Sequence, residues 1–200
     1  VRNVIRYRDS NQGVKLYIVH PKRDQIEGIK CFHTLEELMD TRKKVIDLAL
    51  LVLPIRAVMG VIKTCIKHEV RGIVVESGEL TDIKDKERAS RVKRELKSLL
   101  ESSKTKLVGP NALGFYNPKL HLSTSLGLTQ EFLEFKNRNV SLIGQSGLFV
   151  TGFIYRFQKN QPFGLAKSCA IGNKFDVNEC DVLEYYLQDP ETDVIGMYLE

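Results

Sequence analysis

The feature that most constrains this chain is an alternation of short apolar runs with segments of helical spacing, repeated along most of its length. Val45–Leu53 (VIDLALLVL), Gly72–Val75, Lys106–Val108, Val140–Ile143, Leu165–Ala170 and Val194–Leu199 read as strands, and the nearly continuous apolar run over Val45–Leu53 predicts a strand buried on both faces. Pro54 stands where a helix would open, a favoured place for proline, and Val58, Val61, Ile62, Cys65 and Ile66 follow at helical spacing. Val92, Leu96, Leu99 and Leu100 give the next helix its buried stripe. Ser146–Lys159 and Val177–Leu187 predict two more helices, the last stopped at Asp189-Pro190 because proline cannot continue it. Closer to the start, Val1–Arg8 reads as a short helix and Lys15–Val19 as a strand. Thr34–Leu38 reads as a helix opened by a threonine cap with Glu37 three residues on. Repeated β-α-β units with short turns require parallel sheets covered by helices on both faces, so the fold class is α/β.

The alternation lapses from Pro118 to Arg138 and then resumes. Two parallel-sheet domains in tandem are expected, over residues 1–120 and 139–200, joined by a linker over 121–138. The chain starts without methionine and stops inside a strand, so both ends are expected to be cut.

Composition removes several functional classes. No apolar run approaches the length of a membrane helix, and Val1–Arg6 is not followed by the apolar stretch of a signal peptide. The net charge is only +5, and the densest basic stretch, Lys84–Lys104, is interleaved with Glu and Asp. It reads as a solvated helix face rather than a nucleic-acid surface. A mild positive balance also suits a polyphosphate ligand. Cys31, Cys65, Cys169 and Cys180 are widely spaced, and His20, His33, His68 and His121 do not cluster with acids or cysteines, so no metal site is expected. Reduced thiols point to a cytoplasmic protein. No G-x-G-x-x-G is present, which argues against a dinucleotide-binding domain of the usual kind.

In open α/β sheets ligands bind beyond the C-terminal ends of the strands. Here those ends carry His20-Pro21-Lys22-Arg23, Leu53-Pro54, Glu76-Ser77-Gly78, Gly109-Pro110-Asn111, Gly144-Gln145-Ser146-Gly147 and Gly172-Asn173-Lys174. Part of that composition is turn chemistry. Gly144–Gly147 joins a strand to a helix, where glycine permits close backbone approach and the free N–H groups of the helix start form an anion site. Ser146 either adds a hydroxyl donor or caps the helix. Two such turns near one crevice, the second at Gly172-Asn173-Lys174, would suit a phosphate or an acyl phosphate.

Several segments, in order and spacing, resemble the NDP-forming acyl-CoA synthetases, relatives of the succinyl-CoA synthetase α subunit. They are Gly109–Pro118 (GPNALGFYNP), Asn139–Gly147 (NVSLIGQSG), Ser168–Asp176 (SCAIGNKFD), Asp181–Tyr185, Asp189–Thr192 and Tyr198-Leu199-Glu200, with Lys15–Leu38 upstream. The resemblance covers nearly the whole chain and implies a Rossmann-like CoA-binding domain followed by a flavodoxin-like, succinyl-CoA synthetase-like domain. It implies that Pro21, Lys22, Arg23, Leu53, Pro54, Ile55, Val75, Glu76 and Ser77 line a CoA site. Lys22 and Arg23 would face phosphates, and Asn111 would lie near the thiol end. It implies that Ser146, Gly147, Gly172 and Asn173 hold phosphate at helix starts and that Glu200 contacts a phosphorylated histidine. The implied reaction is acyl-CoA + NDP + phosphate ⇌ acid + CoA + NTP, through an acyl phosphate and a phosphohistidine. The implied partners are CoA, a small carboxylic acid and a nucleotide-binding β-type subunit or domain that carries ATP or ADP with Mg. An oligomer is expected.

Departures from the family pattern are specific. The family's glycine-rich CoA loop would precede Val1, and its phosphorylated histidine lies downstream of Glu200, so none of the four histidines matches it. Ala112 stands where the family often has cysteine. The alternative to an enzyme is a non-catalytic CoA-binding regulatory module, as in fusions to acetyltransferases.

Overall fold

The computed structural model describes residues 1–42, 45–78, 86–124, 139–159 and 164–200. The alternating pattern becomes, in chain order, α1 (Arg2–Ser10), β1 (Ile18–Val19), β2 (Gln25–Ile26), β3 (Ile29–Phe32), α2 (Leu35–Arg42), β4 (Leu48–Leu51) and α3 (Ile55–Lys67). There follow β5 (Gly72–Val75), α4 (Lys86–Glu101), β6 (Lys106–Val108), β7 (Gly114–Asn117), β8 (Leu122–Ser123) and β9 (Val140–Gly144). The last elements are α5 (Gly147–Lys159), β10 (Leu165–Ala170), α6 (Glu179–Leu187) and β11 (Val194–Tyr198).

The strands form three sheets. β4, β5 and β6 lie parallel in that order. β1, β3 and β2 make a small mixed sheet. The third sheet runs β11-β9-β10-β7-β8, its first three strands mutually parallel. The α/β class and the parallel sheets follow the sequence reading. The small β1-β3-β2 sheet does not, because its strands are too short to leave a periodic signal. Of the expected strand Lys15–Val19, only Ile18 and Val19 pair.

Two further differences have physical causes. The run Val45–Leu53 is not buried on both faces: Val45, Leu48 and Val52 are 48%, 39% and 57% exposed. Among the described residues β4 has a neighbouring strand, β5, on one side only. Second, β7 and β8 join the third sheet, so by sheet membership residues 114–123 belong with 140–198 rather than with the segment ending at residue 120. Gly114 makes the turn: its φ is +71°, and a Cβ there would lie 2.2 Å from Thr124 Oγ1. The Phe115 N–H donates to that hydroxyl at 2.8 Å, and Thr124 N–H returns to the Phe115 carbonyl at 3.0 Å, closing a hairpin. The remainder of the expected linker, residues 125–138, lies outside the described residues.

Helix caps and stripes account for the rest. Thr34 Oγ1 accepts the Glu37 N–H at 3.0 Å while Glu37 reaches back to the His33 N–H, much as the threonine-to-glutamate spacing predicts. Asn178 and Asp181 form a capping box at the head of α6. Val58, Ile62 and Cys65 of α3 and Leu96 and Leu100 of α4 pack on Ile73, Val75 and Leu107 of the parallel sheet. A separate cluster joins Val74, Val108 and Ala112 to Ile143, Cys169, Ile171, Val182 and Tyr186. It packs the β4-β5-β6 sheet against the third sheet, and with it the loops at their C-terminal edges. The basic residues Arg91, Lys93, Arg94 and Lys97 of α4 are exposed. No helix among the described residues is long and apolar enough to cross a membrane.

Candidate functional site

Register builds the site. Gly114, Ala170, Gly144 and Tyr198 lie side by side across β7, β10, β9 and β11. The residues that follow β9, β10 and β11 therefore emerge at one edge. They are Gln145-Ser146-Gly147, Ile171-Gly172-Asn173 and Leu199-Glu200, so all four expected phosphate residues and Glu200 share this edge. Gly147 opens α5, and its N-terminal amides face the same edge. The Ile171 N–H donates to the Gly144 carbonyl at 2.9 Å, and the Gln145 N–H donates to Tyr198 O at 2.9 Å, fixing the three turns to one another.

The β4-β5-β6 sheet gathers the expected CoA residues in the same way. The Ser77 hydroxyl donates to the Leu53 carbonyl and accepts the Leu53 N–H at 3.0 Å, tying the loops after β4 and β5. The Asn111 N–H donates to Ser77 O at 2.8 Å, and the Ala112 N–H donates to Val75 O at 3.2 Å, which ties in the loop after β6. Pro54 caps α3 and accepts from Ala57 N–H at 2.8 Å. Ile55 opens the helix, but its side chain lies outside the described residues. Asn111 adopts φ +57°, a left-handed conformation that asparagine tolerates better than most residues.

Glu76 is half-buried at the end of β5, and its Oε2 has no hydrogen-bond partner among the described residues. Burial pushes its carboxyl up to about 7.

Pro21, Lys22 and Arg23 are exposed on the turn after β1, where His20 Nδ1 accepts the N–H groups of Lys22 (3.2 Å) and Arg23 (3.0 Å). Their strand belongs to the small mixed sheet. No hydrogen bond or ion pair among the described residues joins them to Leu53, Ser77 or Asn111. The cysteines are free; burial pushes the Cys65 and Cys169 thiols up to about 12, which leaves them unreactive at neutral pH. Among the described residues no group of three or more His, Cys, Asp or Glu is placed to hold a metal.

The two sets of loops touch. The Asn173 N–H donates to Pro110 O at 2.9 Å, and the Phe175 N–H donates to Gly109 O at 3.2 Å. Gly172 has φ +60°, and a Cβ there would sit 2.3 Å from Pro110 O and 2.6 Å from Asn111 O. The expected thiol-end loop is thus in direct backbone contact with Gly172 and Asn173, two of the expected phosphate residues.

Residues 1–118 match the model of the CoA binding domain, and residues 137–200 match that of the succinyl-CoA ligase like flavodoxin domain. The chain belongs to the CoA-binding domain family. An ADP-forming acetate–CoA ligase of Methanocaldococcus jannaschii is 31% identical over 93% of this chain and 25% of its own length. The α subunit of ADP-forming acetate–CoA ligase II of Pyrococcus furiosus is 26% identical over 94% of this chain and 39% of its own. A solved structure, the dinucleotide forming acetyl-coenzyme A synthetase 1 of Ca. Korarchaeum cryptofilum in complex with phosphate and ADP, superposes with a TM-score of 0.80 at 27% identity. It covers 100% of this chain and 39% of the other. The chain therefore spans well under half the length of these relatives. The domain pair inferred from the ordered motifs, CoA-binding followed by succinyl-CoA synthetase-like, is the pair these matches give.

Sequence reasoning assigned no role to Gln145, His20 or Asp176. Gln145 Oε1 accepts the Glu200 N–H at 3.1 Å. Asp176 Oδ2 accepts the Leu107 N–H at 2.8 Å. Gln145 and Asp176 lie inside the segments that carried the resemblance, so their signal was present; their partners, distant in sequence, were not readable.

Proposed function

We propose that this chain provides the CoA-binding and phosphoryl-transfer surfaces of an ADP-forming acyl-CoA synthetase, an acid–thiol ligase. The reaction is acyl-CoA + ADP + phosphate ⇌ acid + CoA + ATP. The observation that carries the reading is the backbone contact of Gly172-Asn173 with Pro110-Asn111, because the reaction must bring a thiol and an acyl phosphate together.

In this reading Leu53, Pro54, Ile55, Val75, Glu76 and Ser77 line the CoA site, Pro21, Lys22 and Arg23 approach its phosphates, and Asn111 sits by the thiol. Amides at the head of α5 and in the Gly172 turn hold the phosphoryl group, with Ser146 as a hydroxyl donor. The thiol attacks the acyl carbonyl, the C–O bond to phosphate breaks, and inorganic phosphate leaves. In the reverse direction phosphate attacks the thioester carbonyl and releases CoA, and the acyl phosphate passes its phosphoryl group to ADP, with release of the acid, through a phosphohistidine outside these residues, oriented by the Glu200 carboxylate. Nucleotide and Mg bind to a β-type domain or subunit beyond this chain. We further propose a cytoplasmic setting, a small carboxylic acid as substrate and an oligomeric assembly.

The test is phosphorylation of the full-length protein with labelled ATP. An acid-labile, base-stable label that the carboxylic acid plus CoA discharges as inorganic phosphate, with formation of acyl-CoA, is the expected result. CoA binding by calorimetry with no label would overturn the synthetase reading and leave a regulatory CoA-binding module.

A further inference from the structure

β6 pairs with β5 on one edge and on the other is covered not by a strand but by residues 173–177. The N–H groups of Asn173, Phe175 and Val177 donate in turn to Pro110, Gly109 and Leu107 carbonyls at 2.9, 3.2 and 3.0 Å. The Leu107 N–H on the same edge is left for a side chain, and Asp176 Oδ2 takes it at 2.8 Å. A carboxylate accepting a backbone N–H makes a charge-assisted bond, stronger than the neutral ones beside it. Asp176 is only 20% exposed, and its second oxygen lies 4.0 Å from Lys106 Nζ. Phe175 beside it packs into the α3–α4 core and under Lys93.

This zipper leads directly to Gly172 and Asn173. Gly172 has no room to slide, since Pro110 and Asn111 oxygens occupy the space beside its Cα. A shift of one residue between 172–177 and 107–111 would move the phosphate-side amides away from Asn111.

We propose that Asp176 is a positioning residue that sets the register between the phosphate-side loop and the CoA-side loop, and so the approach of thiol to acyl phosphate. This rests on the synthetase reading for its chemical consequence, though not for its structural one. Phosphorylation of the histidine by ATP precedes arrival of the phosphoryl group at the Gly172 turn and does not need that register; acyl transfer from the acyl phosphate to CoA does.

The test uses the full-length protein and its Asp176→Ala, Asp176→Asn and Asp176→Glu variants. Asp176→Ala is expected to form the phosphoenzyme from labelled ATP within about twofold of wild type. Its acyl-CoA formation from phosphoenzyme, acid and CoA is expected to fall about 10-fold or more, in kcat rather than in KM for CoA. Asp176→Asn, whose amide oxygen still accepts from Leu107, is expected to recover at least half of that loss. Asp176→Glu keeps the charge but lengthens the arm, is expected to lose acyl transfer as well, and replaces the alanine variant should that one not fold. Hydrogen exchange without substrates gives an independent readout: Asp176→Ala should speed exchange over 172–177 by about 10-fold while Asp176→Asn does not. Equal loss of both half-reactions, failure of the asparagine variant to rescue, or unchanged exchange overturns the proposal. Should wild type form no acyl-CoA, the synthetase reading fails, and exchange alone decides whether Asp176 sets the register.

Discussion

The side-chain oxygen of Gln145 accepts the backbone N–H of Glu200 at 3.1 Å, and the Gln145 backbone N–H donates to Tyr198 O at 2.9 Å. One residue thus fixes the end of β11 twice, and with it the residue whose carboxylate we propose orients the phosphohistidine. An intramolecular hydrogen bond contributes roughly 0.5–1.5 kcal/mol net, which converts to about 2- to 13-fold in a rate that depends on it. Gln145→Ala in the full-length protein is expected to slow phosphoenzyme formation by that factor and leave CoA affinity unchanged. Equal phosphorylation rates for variant and wild type would remove Gln145 from the machinery.

Gly172 tests the contact between the loops from the other side. Its φ of +60° and the 2.3 Å between an added Cβ and Pro110 O leave alanine nowhere to go without moving backbone. Gly172→Ala is expected to cost about 2–4 kcal/mol in urea unfolding. Gly60 of α3 is the control: nothing lies within 4 Å of an added Cβ there, and alanine favours a helix interior. Gly60→Ala should therefore be neutral or stabilising by about 0.5–1 kcal/mol. Similar costs at both positions would mean that the loops are not held together as described.

How far the sequence carried the reading depends on the range of the interaction. Runs such as GIVV at Gly72–Val75 and the Thr34/Glu37 cap are decided by neighbours within a few residues, so they were legible. The β7–β8 hairpin was not, because it depends on Thr124 closing over Gly114 and on β10 offering an antiparallel edge. Likewise the strand-end positions of Ser146 and Gly172 could be read from residue types, whereas the bonds from Asn173 to Pro110 and from Leu107 to Asp176 join segments whose apposition only the packed sheets create.

Lys167 on β10 is nearly buried and reaches the carboxylates of Asp189 and Glu191, while Lys119 binds Glu191 from the β7–β8 turn. Thr192 bridges Asp189 to Ser141 of β9. Burial pushes the Asp189 carboxyl up, but the bonds from Lys167 and Thr192 and the Lys167 charge outweigh it and hold it below its ordinary value. Asp189→Ala leaves the nearly buried Lys167 only its longer contact with Glu191, so it is expected to cost about 1–3 kcal/mol. Replacing the set by apolar residues, as in Lys167→Met with Asp189→Leu, should recover much of that loss. Urea unfolding of the single and double variants checks this, and additive costs would refute a coupled network.

Glu76 sets a pH dependence of opposite sign. Its carboxyl is pushed up to about 7 in the folded chain, whereas an unfolded glutamate titrates near 4.3. Between those values the folded state holds a proton that the unfolded state has released. The contribution of Glu76 to stability is therefore greatest below about pH 4.3, declines as pH rises through the window, and is flat above about 7. Asp189 works the other way, and only in more acid solution. Because Glu76 is half-exposed, solvent screening reduces the effect to about 1 kcal/mol, or roughly 2–4 °C in Tm for a chain of this length. Wild type should lose that much more Tm than Glu76→Gln between pH 5 and pH 8. Parallel Tm–pH curves for the two proteins would show that the Glu76 carboxylate is solvated and ionised at neutral pH, and would remove it as a desolvated group at the CoA-side loop ends.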